Sequence, residues 1–224
     1  SLKKNKKTIE KHPKFYETPI YKDLDLKKGS VDLVIGNVQS GKTNVILGYA
    51  YKTVKDNKKI VIVTNRFLAD AAQIKGRIGI KDDLENTWTG FNKHIPEEQF
   101  KLKYMDSHNI KFDTKEGRKE ILEKYNTFIV LGNSTQLNRI IKFMVKSPEQ
   151  EFNVCIDEFD IHAGVDNKTD KEMLELAKLG NVHNKVGLTA TPMALFLATD
   201  VIREYLNINR IFKLEPPPDY VGIN

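Results

Sequence analysis

Residues 31–43 read VDLVIGNVQSGKT. The first five residues are mostly apolar and β-branched, which is typical of a strand covered on both faces of a sheet. Residues 36–43 match the pattern Gly-x-x-x-x-Gly-Lys-Thr. The stretch that follows places apolar residues on one helical face, namely Val45, Ile46, Tyr49 and Ala50. A strand, a glycine-bounded turn and a helix form the context in which this pattern binds phosphate.

The turn from Gly36 to Thr43 is therefore predicted to hold the triphosphate of ATP. Gly36 and Gly41 permit backbone angles that side chains would block, so the N–H groups of the turn can point at phosphate oxygens beside the positive end of the helix. Lys42 would reach the β- and γ-phosphates, and the Thr43 hydroxyl would bind the Mg²⁺ that bridges them. The predicted ATP contacts are Gly36, Asn37, Val38, Gln39, Ser40, Gly41, Lys42 and Thr43.

Further short apolar runs alternate with helical patterns along the chain. The predicted strands are 31–35, 60–64, 127–131, 152–156, 186–189 and 210–214. The predicted helices are 42–54, 67–77, 115–125, 136–145 and 170–179. This alternation predicts an α/β fold with a mostly parallel central sheet and helices on both faces.

An acidic segment, Asp157-Glu158-Phe159-Asp160, follows the apolar run 152–156. Open α/β sheets bind ligands at the carboxyl ends of their strands, where this segment would lie. Asp157 is predicted to hold Mg²⁺ and Glu158 to polarise the attacking water, so these two join Lys42 as the catalytic candidates. Asp160 would link the strand to neighbouring motifs. The alternative is an acidic loop that merely follows a strand.

Three segments together resemble superfamily 2 helicases and translocases, especially their restriction-enzyme-like branch. Residues 157–160 match the D-E-x-D box of that group, and Thr189–Pro192, which reads TATP, matches its third motif. With the phosphate-binding loop (P-loop) at Gly36–Thr43, they fit the order found in a first RecA-like domain. The resemblance runs from about Val31 to Leu214 and implies ATP hydrolysis coupled to a nucleic-acid partner, either DNA or RNA.

The resemblance also implies roles outside the ATP site. Thr189 and Thr191 would couple that site to nucleic-acid binding; a strand end followed by a proline-started helix is the alternative. The residues implied to contact the nucleic-acid backbone are Asn65, Arg66, Thr135 and Gln136. For these four, a solvated loop is the alternative.

The resemblance further implies a second RecA-like domain in cis, since motors of this group take arginines from it. No second P-loop-like pattern occurs in the sequence. We expect a basic arm and lead-in over residues 1–28 and the ATPase domain over 29–214, with an insertion at 80–113. Residues 215–224 would form a proline-rich linker towards the absent domain.

Composition and charge narrow the class of protein. The chain has 224 residues, 40% of them apolar, a net charge of +6 and no apolar run long enough to predict a membrane span. Residues 1–14 carry six lysines and one glutamate, a net charge of +5. Such an arm can bind nucleic-acid phosphates, although composition favours a solvated tail. A single cysteine, Cys155, fits a reducing intracellular setting. We expect a cytoplasmic or nuclear protein, with a viral or phage origin as a further option.

Two other functions share the P-loop. A DNA-packaging motor of the large-terminase type has a P-loop, a D-E pair and a coupling motif, but the full TATP segment disfavours it. A nucleotide-dependent scaffold would bind ATP without turning it over.

Overall fold

The computed structural model describes residues 22–24, 26–36, 41–65, 68–78, 102–104, 112–159, 168–190 and 208–214. The strands in these ranges are β1 Val31–Ile35, β2 Lys59–Thr64, β3 Leu102–Tyr104, β4 Thr127–Leu131, β5 Phe152–Ile156, β6 Val182–Thr189 and β7 Arg210–Lys213. The helices are α1 Lys42–Lys55, α2 Leu68–Ile78, α3 Lys115–Lys124, α4 Ser134–Val145 and α5 Lys168–Lys178. Each of these described helices is too short or too polar to span a bilayer.

The described strands form one seven-stranded sheet in the order β3-β4-β2-β5-β6-β1-β7. Every pairing between neighbours is parallel. The carboxyl ends of all strands therefore share one edge, at which the loops after β1, β2, β4, β5 and β6 meet. This edge is called the carboxyl edge below.

Side-chain alternation along the strands divides the core into two layers. On β2, Val61 and Val63 belong to one buried cluster, whereas Ile60 and Ile62 belong to the other. The first cluster packs against residues of α3, α4 and α5, including Ile121, Leu137, Ile140, Met173 and Leu176. The second packs against residues of α1 and α2, including Val45, Ile46, Tyr49, Ala71 and Ile74. Helices thus cover both faces of the sheet, which confirms the predicted fold class.

Two strands differ from the prediction. β6 begins at Val182 rather than Val186, because its first half alternates buried and half-buried residues and forms no continuous apolar run. β3 was missed altogether; it has three residues, LKY, and lies within the segment interpreted as an insertion. Phe112, at the end of that segment, is 4% exposed and packs edge-on against Phe143. The segment at 80–113 thus contributes an edge strand and a core aromatic residue.

An ion pair fastens the edge strand β7 to β1, the strand that leads into the P-loop. Asp32 is completely buried, and its two carboxylate oxygens accept from Nε of Arg210 at 3.0 Å and Nη2 at 2.7 Å. The amide of Val31 donates to Oδ1 of Asn209 at 2.8 Å. A two-pronged contact of this kind fixes both the position and the orientation of the partner.

Candidate functional site

The described ends of the P-loop join β1 to α1 at the carboxyl edge. The Gly36 amide donates to the Thr189 carbonyl at 2.9 Å, so the loop starts beside the end of β6. Gly41 is the N-cap of α1, with φ of 89° and ψ of 18°, a left-handed conformation that disfavours a side chain. Among the described residues no side chain caps α1, and its first turn contains no acidic residue. The start of this helix is therefore left open to an anion. Asn37, Val38, Gln39 and Ser40 lie outside the described residues.

The acidic turn follows β5 at the same edge. The Asp157 amide donates to the Val63 carbonyl of β2 at 2.9 Å, and Oδ1 of Asp157 accepts from the Glu158 amide at 3.0 Å. Glu158 has φ of 50°, in the left-handed region that a glutamate seldom adopts. The turn is thus held to β2 on one side and closed locally by its own aspartate. Asp160 lies outside the described residues.

The P-loop lysine and the acidic turn meet directly. Nζ of Lys42 lies 3.2 Å from Oε1 of Glu158, across 116 residues of sequence. The lysine side chain is 12% exposed and the glutamate side chain 28% exposed, so both charged groups are partly shielded from solvent. The folding of β1 and β5 into one sheet therefore brings two of the three predicted catalytic side chains into contact.

Asp157 lies in an environment that disfavours its charge. The pKa of Asp157 is raised from 3.8 to about 6, first by burial and next by the negative charge of Glu158, while Lys42 and the bond from the Glu158 amide oppose the shift. Asp70, in the first turn of α2, also contributes to the raised pKa. One Asp70 carboxylate oxygen is buried and has no hydrogen-bond partner among the described residues. The sequence analysis did not single out Asp70. The feature that could have pointed to it is an acidic residue in the first turn of the helix that follows β2.

These features fit the magnesium ion that the P-loop pattern implies. A cation beside Asp157 would favour the charged form of this carboxylate. Thr43 is half-buried and is the second residue of α1, directly after Lys42. No group of three or more His, Cys, Asp or Glu side chains in the described ranges could hold a metal alone. Mg²⁺ is usually bound by one or two protein ligands together with phosphates and water.

The third motif touches the P-loop through the backbone. Thr189 is completely buried and lies opposite Ile35, the last residue of β1. Because the Thr189 carbonyl accepts from the Gly36 amide, a displacement of the end of β6 would also move the start of the P-loop. Thr191 and Pro192 lie outside the described residues.

The turns after β2 and β4, which carry the nucleic-acid candidates, are joined to each other. The Gly132 amide donates to the Thr64 carbonyl at 2.9 Å and to the Asn65 carbonyl at 3.4 Å. Asn65 is half-buried, and Thr135 is exposed in the first turn of α4. Both therefore lie together at the carboxyl edge, whereas Arg66 falls outside the described residues.

Gln136 has a different position from that expected of a nucleic-acid contact. Its side chain is 7% exposed, and its Oε1 accepts from the Leu131 amide at 2.7 Å. Its own amide donates to Oδ1 of Asn133, the N-cap of α4. Gln136 therefore braces the turn between β4 and α4, and its role as a nucleic-acid contact stays a prediction.

Comparison with known proteins supports the fold. No protein-family model matches the sequence, and no curated protein matches it. Among solved structures, the Pyrococcus furiosus Hef helicase domain superposes with a TM-score of 0.56 at 15% identity, over 90% of this chain and 37% of that one. The chain thus spans little more than a third of the Hef helicase-domain chain.

Two further structures are much more distant. Drosophila ORC bound to AT-rich DNA and Cdc6 has a TM-score of 0.31 at 12% identity, covering 81% of this chain and 60% of that one. FtsY from Mycoplasma mycoides also has a TM-score of 0.31, at 17% identity, covering 86% and 62%. Scores this low carry no argument, so the comparison rests on Hef alone. The chain has an α/β fold similar to that of a helicase domain.

Proposed function

We propose that this chain is the ATP-binding and ATP-hydrolysing domain of a superfamily 2-type nucleic-acid helicase or translocase. The observation that carries the proposal is the 3.2 Å contact between Lys42 and Glu158. It places the lysine suited to the phosphates beside the carboxylate suited to the attacking water. A helix start without acidic residues and a half-buried aspartate flank this pair.

Each residue of the site has a separate role in the proposed reaction. The start of α1 would receive the phosphates through its N–H groups, and Lys42 would neutralise charge on the β- and γ-phosphate oxygens. When bound, Mg²⁺ would supply further positive charge to the same oxygens, held by Thr43 and Asp157. Glu158 would exchange its contact with Lys42 for one with water and orient that water for attack.

Coupling to nucleic acid is proposed to run along the carboxyl edge. Thr189 is bonded to the P-loop at Gly36, and the joined turns with Asn65 and Thr135 lie at the same edge. Thr191, Asp160 and Arg66 belong to the proposed coupling and contact set through the sequence resemblance alone. The polymer would be DNA or RNA, and a second RecA-like domain in cis would complete the motor.

Nucleotide hydrolysis with and without nucleic acid tests this function. We expect slow Mg²⁺-dependent ATP hydrolysis by this chain, and stimulation by single- or double-stranded DNA or RNA in a longer protein that also contains the second domain. Hydrolysis without stimulation in that longer protein would contradict the motor function. Binding of ATP without any turnover there would favour a nucleotide-dependent scaffold.

A further inference from the structure

Gly187 of β6 has little room for a side chain. A Cβ atom built on it would lie 3.0 Å from Cγ and 3.1 Å from Cδ1 of the Phe159 ring. Such distances are shorter than ordinary carbon–carbon contacts, so a methyl group here must push the ring away. The ring is itself held in the core, because Phe159 is 7% exposed and belongs to the cluster that contains Leu33 and Val63. We refer to the contact between Phe159 and Gly187 as the ring seat.

The ring seat adjoins the residue proposed to orient the water. Phe159 directly follows Glu158, whose φ of 50° is unfavourable for a residue with a Cβ. A conformation of that kind persists only when its surroundings hold it in place. The Asp157 amide fixes one end of the turn to β2 through Val63, and the ring seat fixes the other end to β6.

β6 connects this turn to the P-loop. Gly187 lies opposite Ile156, the last residue of β5. Two residues further along, Thr189 lies opposite Ile35 and accepts from the Gly36 amide. One strand therefore contacts the acidic turn through Gly187 and the P-loop through Thr189.

We propose that Phe159 and Gly187 are positioning residues, and that the ring seat sets the place of the Glu158 carboxylate relative to Lys42 and the γ-phosphate. The catalytic part of this inference rests on the proposed function. A positioning role can be distinguished from ordinary core packing by measuring stability, turnover and ATP affinity separately. A packing contact would change stability alone, whereas the ring seat should change turnover while ATP affinity is retained.

Two single variants and their combination test the ring seat. Gly187→Ala should displace the ring by a few tenths of an ångström and lower kcat by about tenfold, since a full misplacement of 1 Å can cost about a hundredfold. Phe159→Leu loosens the seat without adding bulk and should also lower kcat. In the double variant the smaller leucine leaves space for the new methyl group, so kcat should recover to within a few-fold of wild type, a non-additivity expected of contacting residues. The affinity for a non-hydrolysable ATP analogue should stay within about twofold throughout.

Hydrogen exchange gives a second readout that needs no activity. The Glu158 amide donates to Oδ1 of Asp157, so its exchange reports whether the turn stays closed. By NMR it should exchange about tenfold faster in each single variant, relative to the Ile129 amide in the centre of β4, and should slow again in the double variant. If Gly187→Ala does not fold, Phe159→Leu alone carries both measurements.

The outcomes separate the two proposals. Unchanged exchange at Glu158 in the single variants overturns the ring seat, and so does wild-type kcat despite faster exchange. A loss of kcat that the double variant does not restore also overturns it, because this identifies plain core damage. Normal hydrolysis by Lys42→Ala, or none by the wild type, would instead reject the proposed function, and the exchange data would still decide whether the seat holds the turn.

Discussion

Lys42 and Glu158 form a contact of 3.2 Å between the P-loop helix and the turn after β5. The pair brings two partly buried opposite charges together, which limits the cost of holding either one there. Bound ATP would compete for Lys42 and release Glu158. In the proposed reaction, nucleotide binding would thereby free the carboxylate that is proposed to orient the water.

Glu158→Gln tests the role of that carboxylate. The amide keeps the shape of the side chain but cannot accept a proton from water, so kcat for ATP hydrolysis should fall by about 10²- to 10⁴-fold. Affinity for the ATP analogue should be retained, and bound ATP should stay trapped. Single-turnover hydrolysis and analogue titration measure the two effects. Wild-type hydrolysis by this variant would remove Glu158 from the mechanism.

Asp157→Asn tests whether the charged Asp157 carboxylate destabilises the folded protein. Because burial raises the pKa of Asp157 from 3.8 to about 6, the folded protein binds this proton more tightly than the unfolded chain does. The charged form thus costs stability above pH 6, and the cost is relieved as the pH falls from about 6 towards 4. Without nucleotide and Mg²⁺ at pH 8, Asp157→Asn should be more stable by up to about 3 kcal/mol, roughly two pKa units at 1.36 kcal/mol each.

Urea denaturation at pH 8, 6 and 5 measures this effect, and the gain should shrink as the pH falls. Asp113→Asn, a change of an exposed carboxylate, is the matched control and should stay within about 0.5 kcal/mol of wild type at each pH. A less stable Asp157→Asn protein at pH 8 would show that the carboxylate is well solvated or paired.

Much of the site was predictable because its signals are local. Gly41 and Lys42 belong to one short pattern after a strand, and Asp157 and Glu158 follow another strand directly. Parallel pairing then brings their carboxyl ends together. Contacts across the fold left no such signal. The three residues of β3 form no apolar run, and nothing near Gln136 shows that the Leu131 amide needs its side chain.

The ring seat was hidden from the sequence for the same reason. Phe159 occupies the variable position of the D-E-x-D box, and Gly187 is an unremarkable residue within an apolar run. Their relation exists only because β5 and β6 are neighbours in the sheet. Nonlocal packing therefore supplies what the motifs lack, namely a contact between β6 and the residue that follows Glu158.

Thr135→Glu tests the proposed nucleic-acid surface at the carboxyl edge. A negative charge at this exposed position favours the start of α4 but repels phosphates, so DNA and RNA affinity should fall and more steeply at low salt. Val145→Glu adds the same charge at the far end of the helix, where the side chain is 55% exposed, and should leave affinity unchanged. Fluorescence anisotropy over a salt series measures both. Equal losses in the two variants would exclude a specific surface near Thr135.

Arg210→Met tests the fastening of β7 to β1. It leaves Asp32 buried without its charged partner, so the free energy of unfolding should fall by about 3 kcal/mol. Lys119→Met breaks an exposed pair with Glu123 and should cost less than about 0.5 kcal/mol. Chemical denaturation compares the two variants. An Arg210→Met protein as stable as Lys119→Met would mean that Asp32 needs no cationic partner.

Calorimetric titration of a non-hydrolysable ATP analogue with Mg²⁺ tests the central claim most directly. The wild-type chain should bind at one site, and Lys42→Ala should lose at least about tenfold in affinity because a charge contact to the phosphates is removed. Lys55→Ala, which changes an exposed lysine at the other end of the same helix, should bind as the wild type does. Failure of the wild-type chain to bind, or equal affinity in Lys42→Ala and Lys55→Ala, would contradict the account.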